Sequence, residues 1–381
     1  MQSITTNAKA TKRLLIVVPI YASYQALLKG LAAWLVDRDW EVHVATNLTG
    51  ANEESDVATL HDIAIPRGAN PLKLFQAGRS LTKLIQQIQP TVVHAHFSVG
   101  MLCLALANRV EGIRRLGTFQ GMRFPMATSL SRYFFMLVEC FSILRLDKSW
   151  VLTADDYAST PQFIQKKLAV QEGFGFGCDI QHFNIARFND ADRHYIREQL
   201  GIQKSDIVFI FVGRLTAFKG FDLSLEAFRR LRASRPDVQF IVLGEADPIH
   251  PIDIQNICSI DGVNYLGWCP DPAPYLGISD AMVFPSEREG IPVCVMEAIS
   301  MGVPVIGCDK RGTRELIKHE INGFMTGRCI EGVLQSMKAL LAKPKIKQSS
   351  SRWAKEKRDD FNRINFYYTI LGEIEKHQNH Y

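Results

Sequence analysis

The first half of the chain alternates short apolar runs with longer segments in which apolar residues recur at helical spacing. Leu14–Ile20 and Glu41–Thr46 have the character of buried strands, whereas Tyr24–Arg38 and Pro71–Gln89 repeat apolar residues every three or four positions. Thr91–His96 is a further short strand that ends in polar residues. Strands that alternate with helices in this way predict parallel β-α-β units with right-handed crossovers.

The pattern restarts in the second half at Asp206–Leu215 and continues through Gln239–Gly244 and Asn264–Leu266. We therefore predict an α/β protein made of two doubly wound, Rossmann-like parallel-sheet domains. The predicted division is an N-terminal domain at residues 1–186, a linker with a short helix at 187–204, a C-terminal domain at 205–360, and a C-terminal helix at 361–381 that crosses back to the first domain.

Composition narrows the class of protein. A net charge of +5 on 381 residues, without a basic face interleaved with aromatic platforms, argues against a nucleic-acid partner. The eight cysteines contain no C-x-x-C pair, which favours buried thiols in a reducing compartment over a zinc site. No apolar run is long enough for a signal-peptide core or a membrane span. We expect a cytoplasmic protein, with peripheral contact at the inner face of a membrane left open.

The stretch from Ser286 to Gly307 carries the first candidate chemistry. It places Glu289 in a turn, starts a helix at Pro292, places Glu297 eight positions after Glu289, and ends the helix at Gly302. A helix N-terminus with free N–H groups attracts phosphate, and carboxylates accept hydrogen bonds from sugar hydroxyls. The combination predicts a nucleotide-sugar site.

A second candidate is the loop Gly213–Asp222, which follows a predicted strand and precedes a helix. Arg214 and Lys219 lie five positions apart in it, between two glycines that allow a sharp turn. Two cations on one loop can neutralise a diphosphate, although a solvated loop with two surface cations is the alternative. The presence of the Glu289 stretch in the same domain favours the diphosphate.

These two stretches, G-R-L-x-x-x-K-G and E-G-I-P-x-x-x-x-E, resemble the signature of glycosyltransferase family 4. That family consists of retaining enzymes of the GT-B architecture, in which two Rossmann-like domains face across a cleft. The resemblance implies that Arg214 and Lys219 bind and stabilise the leaving diphosphate and that Glu289 binds the transferred sugar, which makes these three the candidate catalytic residues. It also implies a donor-binding set made of Gly213, Gly290, Ile291, Val293, Glu297 (on the ribose), Leu266 and Trp268. A buried core tryptophan is the alternative for Trp268.

The acceptor side is expected in the first domain, beyond the strand ends at Tyr21–Tyr24, His96–Gly100 and Gln120–Phe124. Its candidate residues are Tyr24, His96 and Gln120. We expect only one of His94 and His96 to face the cleft and favour His96, with a structural histidine as the alternative. Gln120 stands where many relatives have histidine, so this position can hold a hydroxyl but cannot titrate.

The resemblance implies a hexosyltransferase-type enzyme that moves a sugar with retention from a nucleotide-diphosphate donor, UDP favoured, without metal or other cofactor. The expected acceptor is a sugar or a lipid-linked oligosaccharide of O-antigen or capsule synthesis, met at the membrane face by the helix around Arg132–Arg145. Two alternatives remain at this point: a nucleotide-sugar epimerase or hydrolase on the same fold, and a non-catalytic sugar-nucleotide-binding subunit.

Overall fold

A computed structural model describes residues 12–49, 56–66, 68, 70–246 and 252–378 of the chain. Its contacts divide the chain into two compact units, which we call unit 1 (Met1–Gln171 with Tyr367–Tyr381) and unit 2 (Glu172–Phe366). Each unit is an α/β structure built on one parallel sheet, so the predicted fold class is confirmed.

Unit 1 contains, within its described residues, a seven-stranded sheet in the order β3-β2-β1-β4-β5-β6-β7. The strands are β1 Arg13–Ile20, β2 Glu41–Asn47, β3 Thr59–Asp62, β4 Val92–His96, β5 Arg114–Phe119, β6 Lys148–Val151 and β7 Leu168–Val170. The helices are α1 Tyr21–Leu27, α2 Lys29–Val36, α3 Pro71–Ile88, α4 Phe97–Leu106, α5 Ser129–Arg145, α6 Ala154–Ser159 and α7 Gln162–Gln165. Neighbouring strands run parallel, with Leu14 paired to Val42 on one side and to Val92 on the other.

Unit 2 contains, within its described residues, a six-stranded parallel sheet in the order β10-β9-β8-β11-β12-β13. The strands are β8 Ile207–Val212, β9 Val238–Leu243, β10 Val263–Gly267, β11 Ala281–Phe284, β12 Val305–Cys308 and β13 Gly323–Thr326. The helices are α8 Asp190–Gln199, α9 Phe221–Arg232, α10 Ile254–Cys258, α11 Ala273–Gly277, α12 Val293–Ser300, α13 Thr313–Leu316, α14 Ile330–Ala342 and α15 Ile346–Lys357. The last helix, α16, spans Arg363–Gln378 and passes from unit 2 into unit 1.

The central strands are buried along nearly their whole length, which explains why they read as continuous apolar runs. β1 buries Leu14 to Val18 completely, and β8 does the same with Val208 to Phe211. Parallel sheets are covered by helices on both faces, so both sides of each strand must be apolar. The two cores therefore follow directly from the hydrophobic pattern.

The boundaries differ from the sequence-based expectation in two places. The segment predicted as one helix over Tyr24–Arg38 forms two helices, because Leu28 leaves the helical region with φ −124° and ψ −15°. The contact boundary falls after Gln171, before the linker predicted at 187–204, since Cys178 pairs with Asn362 and so ties this segment to unit 2.

The C-terminal part of α16 is attached to unit 1 by a buried carboxylate. Glu373, only 6% exposed, accepts from Arg114 Nη2 at 2.8 Å and from Lys148 Nζ at 2.7 Å. Trp34 adds an aromatic contact with Tyr367 at 5.5 Å between ring centroids. These contacts explain why residues after Phe366 belong to unit 1 although they follow unit 2 in the chain.

Candidate active site

The strand order of unit 2 reverses between β8 and β11, which are neighbours in the sheet but not in the chain. In open α/β sheets a crevice forms beyond the carboxyl ends of the strands at such a point, and ligands bind there. The two loops at this position are residues 213–220 and 285–292. They are the two stretches that the sequence singles out.

The loop after β8 begins and ends at glycines that the local geometry requires. Gly213 donates its N–H to Leu243 O at 2.9 Å and has φ +151°, while Gly220 has φ +73°. A Cβ atom on Gly220 would lie 2.4 Å from Pro285 O, inside van der Waals distance. Only glycine therefore lets the loop after β8 touch the loop after β11.

Lys219 and Glu289 form an ion pair across these two loops. Lys219 Nζ lies 2.6 Å from Glu289 Oε1, and Ser286 Oγ donates to the same carboxylate oxygen at 2.6 Å. Their side chains are 18% and 12% exposed, so both charges are largely withdrawn from water. Such a pair is held by mutual attraction and by the added hydroxyl, because either charge alone would be costly to bury.

The loop that carries Glu289 is also fixed from the side of β12. Glu289 N donates to Arg311 O at 3.0 Å, and Arg311 Nε donates to Glu289 O at 3.3 Å. Gly312 packs so closely that a Cβ there would lie 2.5 Å from Gly290 O. The backbone that carries the Glu289 carboxylate is thus fixed by its hydrogen bonds with Arg311 and by its close contact with Gly312.

The start of α12 provides N–H donors next to this pair. Among the residues that the structure describes, Gly290, Ile291 and Val293 make no intrachain hydrogen bond through their backbone N–H groups. The expectation that Pro292 is the first helical residue is wrong by one position, because its ψ of 115° keeps it extended as the N-cap and the helix begins at Val293. Free N–H groups at a helix start favour an anion.

Cys294 lies close enough to Lys219, Glu289 and Glu297 for their charges to act on its thiol. Burial raises the pKa of its thiol, and the charges of Lys219, Glu297 and Glu289 all act on it. Arg214 lies exposed on the same loop as Lys219.

Glu297 lies one turn further along α12 and is partly buried. Burial raises its pKa from 4.5 to about 7, while the positive charge of Arg363 opposes this rise and the charge of Asp271 adds to it. Asp271 is itself paired with His182, whose Nε2 lies 2.7 Å from Asp271 Oδ1. Arg363 and Asp271 were not predicted, because each is far from Glu297 in sequence and lacks a motif of its own.

Leu266 and Trp268 lie at the end of β10, the edge strand on the β9 side of the sheet. Trp268 is 68% exposed, so the explanation of this residue as a core tryptophan is wrong. Leu266 is partly exposed. Both residues are accessible to a ligand on unit 2.

The acceptor-side residues in unit 1 are less accessible than the sequence suggests. Tyr24 is fully buried and donates its hydroxyl hydrogen to Asp56 Oδ1 at 2.9 Å. Burial and, after it, the hydrogen bond to Asp56 raise the pKa of Tyr24. Tyr24 therefore belongs to the core, because α1 turns its ring inward below the strand ends.

The expectation that only one of His94 and His96 faces the cleft is wrong. Residues two apart on a strand point to the same face, and the two rings lie 4.1 Å apart, both fully buried. Burial lowers the pKa of His94 to about 3 and also lowers that of His96. Gln120 joins them through a 3.1 Å contact with His96 Nδ1 and accepts from Phe97 N at 2.6 Å. The amide of Gln120 thus stabilises Phe97, whose φ of +64° is unusual for a bulky residue.

The predicted strand ends of unit 1 do line cavities, but through other side chains. A cavity of about 240 Å³ lies where β1 and β4 adjoin and is lined by Pro19, Ile20, Ser23, Phe97, Ser98 and Arg123 among others. A larger cavity of about 990 Å³ is lined by residues that include Tyr21, Asn47, Asn70 and Lys73. The sequence identifies the correct edge of the sheet, whereas packing decides which residues are accessible.

The described residues contain no group of three or more His, Cys, Asp or Glu side chains that could hold a metal ion. Within the same residues, no helix has the length and apolar character required to cross a bilayer.

The contact at Gly220 gives a first prediction. Gly220→Ala should lower the free energy of unfolding of unit 2 by more than the cost, about 1–2 kcal/mol, of placing a non-glycine residue in the left-handed backbone conformation. The reason is that the added methyl group also collides with Pro285. Gly201→Ala is the matched control: φ is +65° but a Cβ there meets nothing within 4 Å. Chemical unfolding of the intact chain measures both. Equal losses in the two variants would show that the loop contact contributes nothing.

The chain matches two family models, Glycosyltransferase Family 4 over residues 25–149 and Glycosyl transferases group 1 over residues 192–360. It is 25% identical over 83% of both chains to the "Putative glycosyltransferase EpsD" of Bacillus subtilis. It is also 26% identical, over 68% of both chains, to the "UDP-Gal:alpha-D-GlcNAc-diphosphoundecaprenol alpha-1,3-galactosyltransferase" of Escherichia coli.

Among solved structures, that of Anabaena Alr3699/HepE in complex with UDP-glucose matches with a TM-score of 0.76 at 17% identity, covering 96% of this chain and 99% of that one. This likeness establishes the fold, which is the two-domain GT-B architecture. The residues matched by the Glycosyl transferases group 1 model include the Lys219–Glu289 pair and the start of α12. The chain is an enzyme of the group 1, family 4 glycosyltransferases.

Proposed function

We propose that this glycosyltransferase moves a sugar, with retention, from a nucleotide-diphosphate donor to a sugar or lipid-linked oligosaccharide in cell-envelope polysaccharide synthesis. The observation that carries the donor half is the Lys219–Glu289 pair beside the free N–H groups of α12, at the strand-order reversal of unit 2. UDP is the favoured nucleotide. The Escherichia coli relative is named for a UDP-Gal donor and a diphosphoundecaprenol-linked acceptor, and the Anabaena structure is a complex with UDP-glucose.

The donor would lie along the carboxyl ends of the strands. Its diphosphate meets Arg214, Lys219 and the N–H groups of Gly290, Ile291 and Val293, which together offset its negative charge. Glu289 accepts from hydroxyls of the transferred sugar. Glu297 accepts from the ribose, and the base lies toward Leu266 and Trp268.

The chemistry follows from where charge develops. The bond between the anomeric carbon and the diphosphate oxygen breaks, and its electron pair goes to the diphosphate, where Arg214 and Lys219 stabilise it. The acceptor hydroxyl attacks the same face and passes its proton to the departing phosphate oxygen. Configuration is therefore retained without a protein nucleophile, and we propose that no metal ion or other cofactor is needed because the two cations fill that role.

The acceptor would bind on unit 1, near the cavity between the ends of β1 and β4. An oligosaccharide linked to a membrane lipid would require the enzyme to work in peripheral contact with the inner face of the membrane. The exposed apolar side chains of α5 support this location.

Donor identity is the first test of this function. We expect a UDP-sugar to raise the thermal unfolding midpoint of the intact chain more than GDP- or ADP-sugars, because ligand binding to the folded state stabilises it. The shift should persist in EDTA. If no nucleotide sugar in the panel changes the midpoint, the donor site is wrong; release of free nucleotide without acceptor would instead indicate an epimerase or hydrolase.

The leaving-group cations give a second prediction. Arg214→Ala and Lys219→Ala should each lower kcat by about 10²–10³-fold, because their charge matters most when the diphosphate departs. Donor affinity should fall less than kcat. Arg230→Ala is a control, since this cation lies on the exposed face of α9 and pairs with Glu226. A loss of donor affinity with unchanged kcat would contradict the proposed role.

The environment of Glu297 gives a third prediction, on pH. Its pKa of about 7 means that its carboxyl becomes protonated as pH falls through 7, and a protonated carboxyl accepts hydrogen bonds less well. The donor KM should therefore rise as the pH is lowered through this pKa, from about 8 to about 6. In Glu297→Gln the KM should be higher at pH 8 and should lose this dependence. The same slope in wild type and variant would assign the titration to another group.

A further inference from the structure

Helix α5 exposes a continuous apolar face. Its outward side chains follow helical spacing and are 41% to 84% exposed: Leu130, Tyr133, Phe134, Leu137, Phe141 and Leu144. The stripe runs for about 21 Å along the helix axis. Soluble proteins rarely expose apolar surface of this extent unless it binds something.

Beside this face lies an apolar groove of about 350 Å³ between α3, α4 and α5, which we call the α3–α5 groove. Its walls are mostly hydrocarbon and include Leu74, Phe75, Leu102, Leu106, Phe134 and Phe135. Its acidic residue, Glu139, is already satisfied, because it accepts from Ser98 Oγ at 2.6 Å and from Arg123 N at 2.9 Å. The groove therefore suits an apolar occupant.

The groove adjoins the cavity at the strand-order reversal of unit 1. Ser98, Val99 and Arg123 line both. The guanidinium carbon of Arg123 lies 5.5 Å from the centroid of the Phe135 ring, so the cation stands at the edge of the apolar walls. A molecule with an anionic head and a hydrocarbon tail would fit across this junction.

The two chain segments that form the groove carry mostly basic charge. The segments 70–106 and 120–145 contain Glu139 as their one acidic residue, and it is buried. Their basic residues are Lys73, Arg79, Lys83, Arg123, Arg132 and Arg145. Apolar surface on segments with an excess of basic residues, with Arg123 lining the groove itself, favours an anionic amphiphile as the occupant.

We propose that the α3–α5 groove holds the hydrocarbon chain of a phosphorylated lipid acceptor, with its anionic head at Arg123 in the adjoining cavity. This inference rests on the proposed function and specifies its acceptor class. The bilayer surface alone is a weaker fit, since the groove shares Ser98, Val99 and Arg123 with the cavity beyond β1 and β4, the position where such sheets bind ligands.

The test uses the intact chain and simple amphiphiles below their micelle concentration, without nucleotide. Titration calorimetry compares n-dodecyl phosphate, n-hexyl phosphate, inorganic phosphate and n-dodecyl glucoside. We expect affinity to rise with chain length, by about fourfold for each methylene that becomes buried, and the phosphate to bind more tightly than the glucoside. Dodecyl phosphate binding no more tightly than inorganic phosphate would overturn the proposal.

Matched substitutions separate the groove from the outer face of α5. Phe75→Ser and Phe134→Ser remove exposed side chains that line the groove, and Leu137→Ser removes one that does not. We expect at least a tenfold loss of dodecyl phosphate affinity in the first two variants and none in the third. Arg123→Ala should abolish the preference for phosphate over glucoside. If Leu137→Ser loses as much affinity as the groove variants, the surface is a general apolar patch and the proposal is wrong.

Two further measurements keep the outcomes distinct. Binding to phosphatidylglycerol vesicles should weaken in Leu137→Ser and in the groove variants alike. A different result would overturn the groove: vesicle binding that weakens only in Leu137→Ser, while all variants bind monomeric dodecyl phosphate as the wild type does. The apolar face would then be a membrane-contact surface. The thermal shift with UDP-sugars should be the same in all of them, because unit 2 is untouched. Lipid binding with no nucleotide response would contradict the proposed function while leaving the groove intact.

Discussion

The contact between Gly220 and the carbonyl of Pro285 sets the distance between the two loops of unit 2 that carry the candidate chemistry. Lys219 immediately precedes this glycine, and Glu289 lies four positions after Pro285. Because β8 and β11 are neighbours in the sheet, their loops leave the same edge, and the absent side chain lets them touch. The 2.6 Å pair between the ammonium and the carboxylate depends on that approach.

The pair also explains how two charged side chains can be stable in a largely buried site. Removing either charged group from water costs on the order of several kcal/mol. The opposite charge of the pair and the Ser286 hydroxyl together offset this cost. A diphosphate at the start of α12 would compete with Glu289 for Lys219, and the hydroxyls of a sugar would replace Lys219 at Glu289. In the proposed donor complex each group therefore exchanges one satisfied partner for another, without leaving a buried charge alone.

The sequence predicts the elements of this site well because the rules involved are local. Alternating periods predict the sheet, glycines mark the turns, and a proline marks the start of α12 to within one residue. The surroundings of Glu297 follow no local rule: Asp271 comes from the loop after β10 and Arg363 from the start of α16. In unit 1 the sequence identifies the carboxyl edge of the sheet but not depth, which is why Tyr24 and His96 turn out to be buried.

The orientation of α5 shows how a polar anchor can govern an apolar surface. A helix of this composition would ordinarily turn its stripe of large apolar residues inward. Here Glu139 lies on the buried side together with Cys140 and Ile143, and it accepts hydrogen bonds from Ser98 and from the N–H groups of Arg123 and Phe124. Burial raises the pKa of Glu139, and these hydrogen bonds oppose the rise. Rotating the stripe inward would break all of them and release the loop that bears Arg123. The buried carboxyl group of Glu139 and the core contacts of Cys140 and Ile143 therefore act together to fix the exposed face of α5 and the position of Arg123.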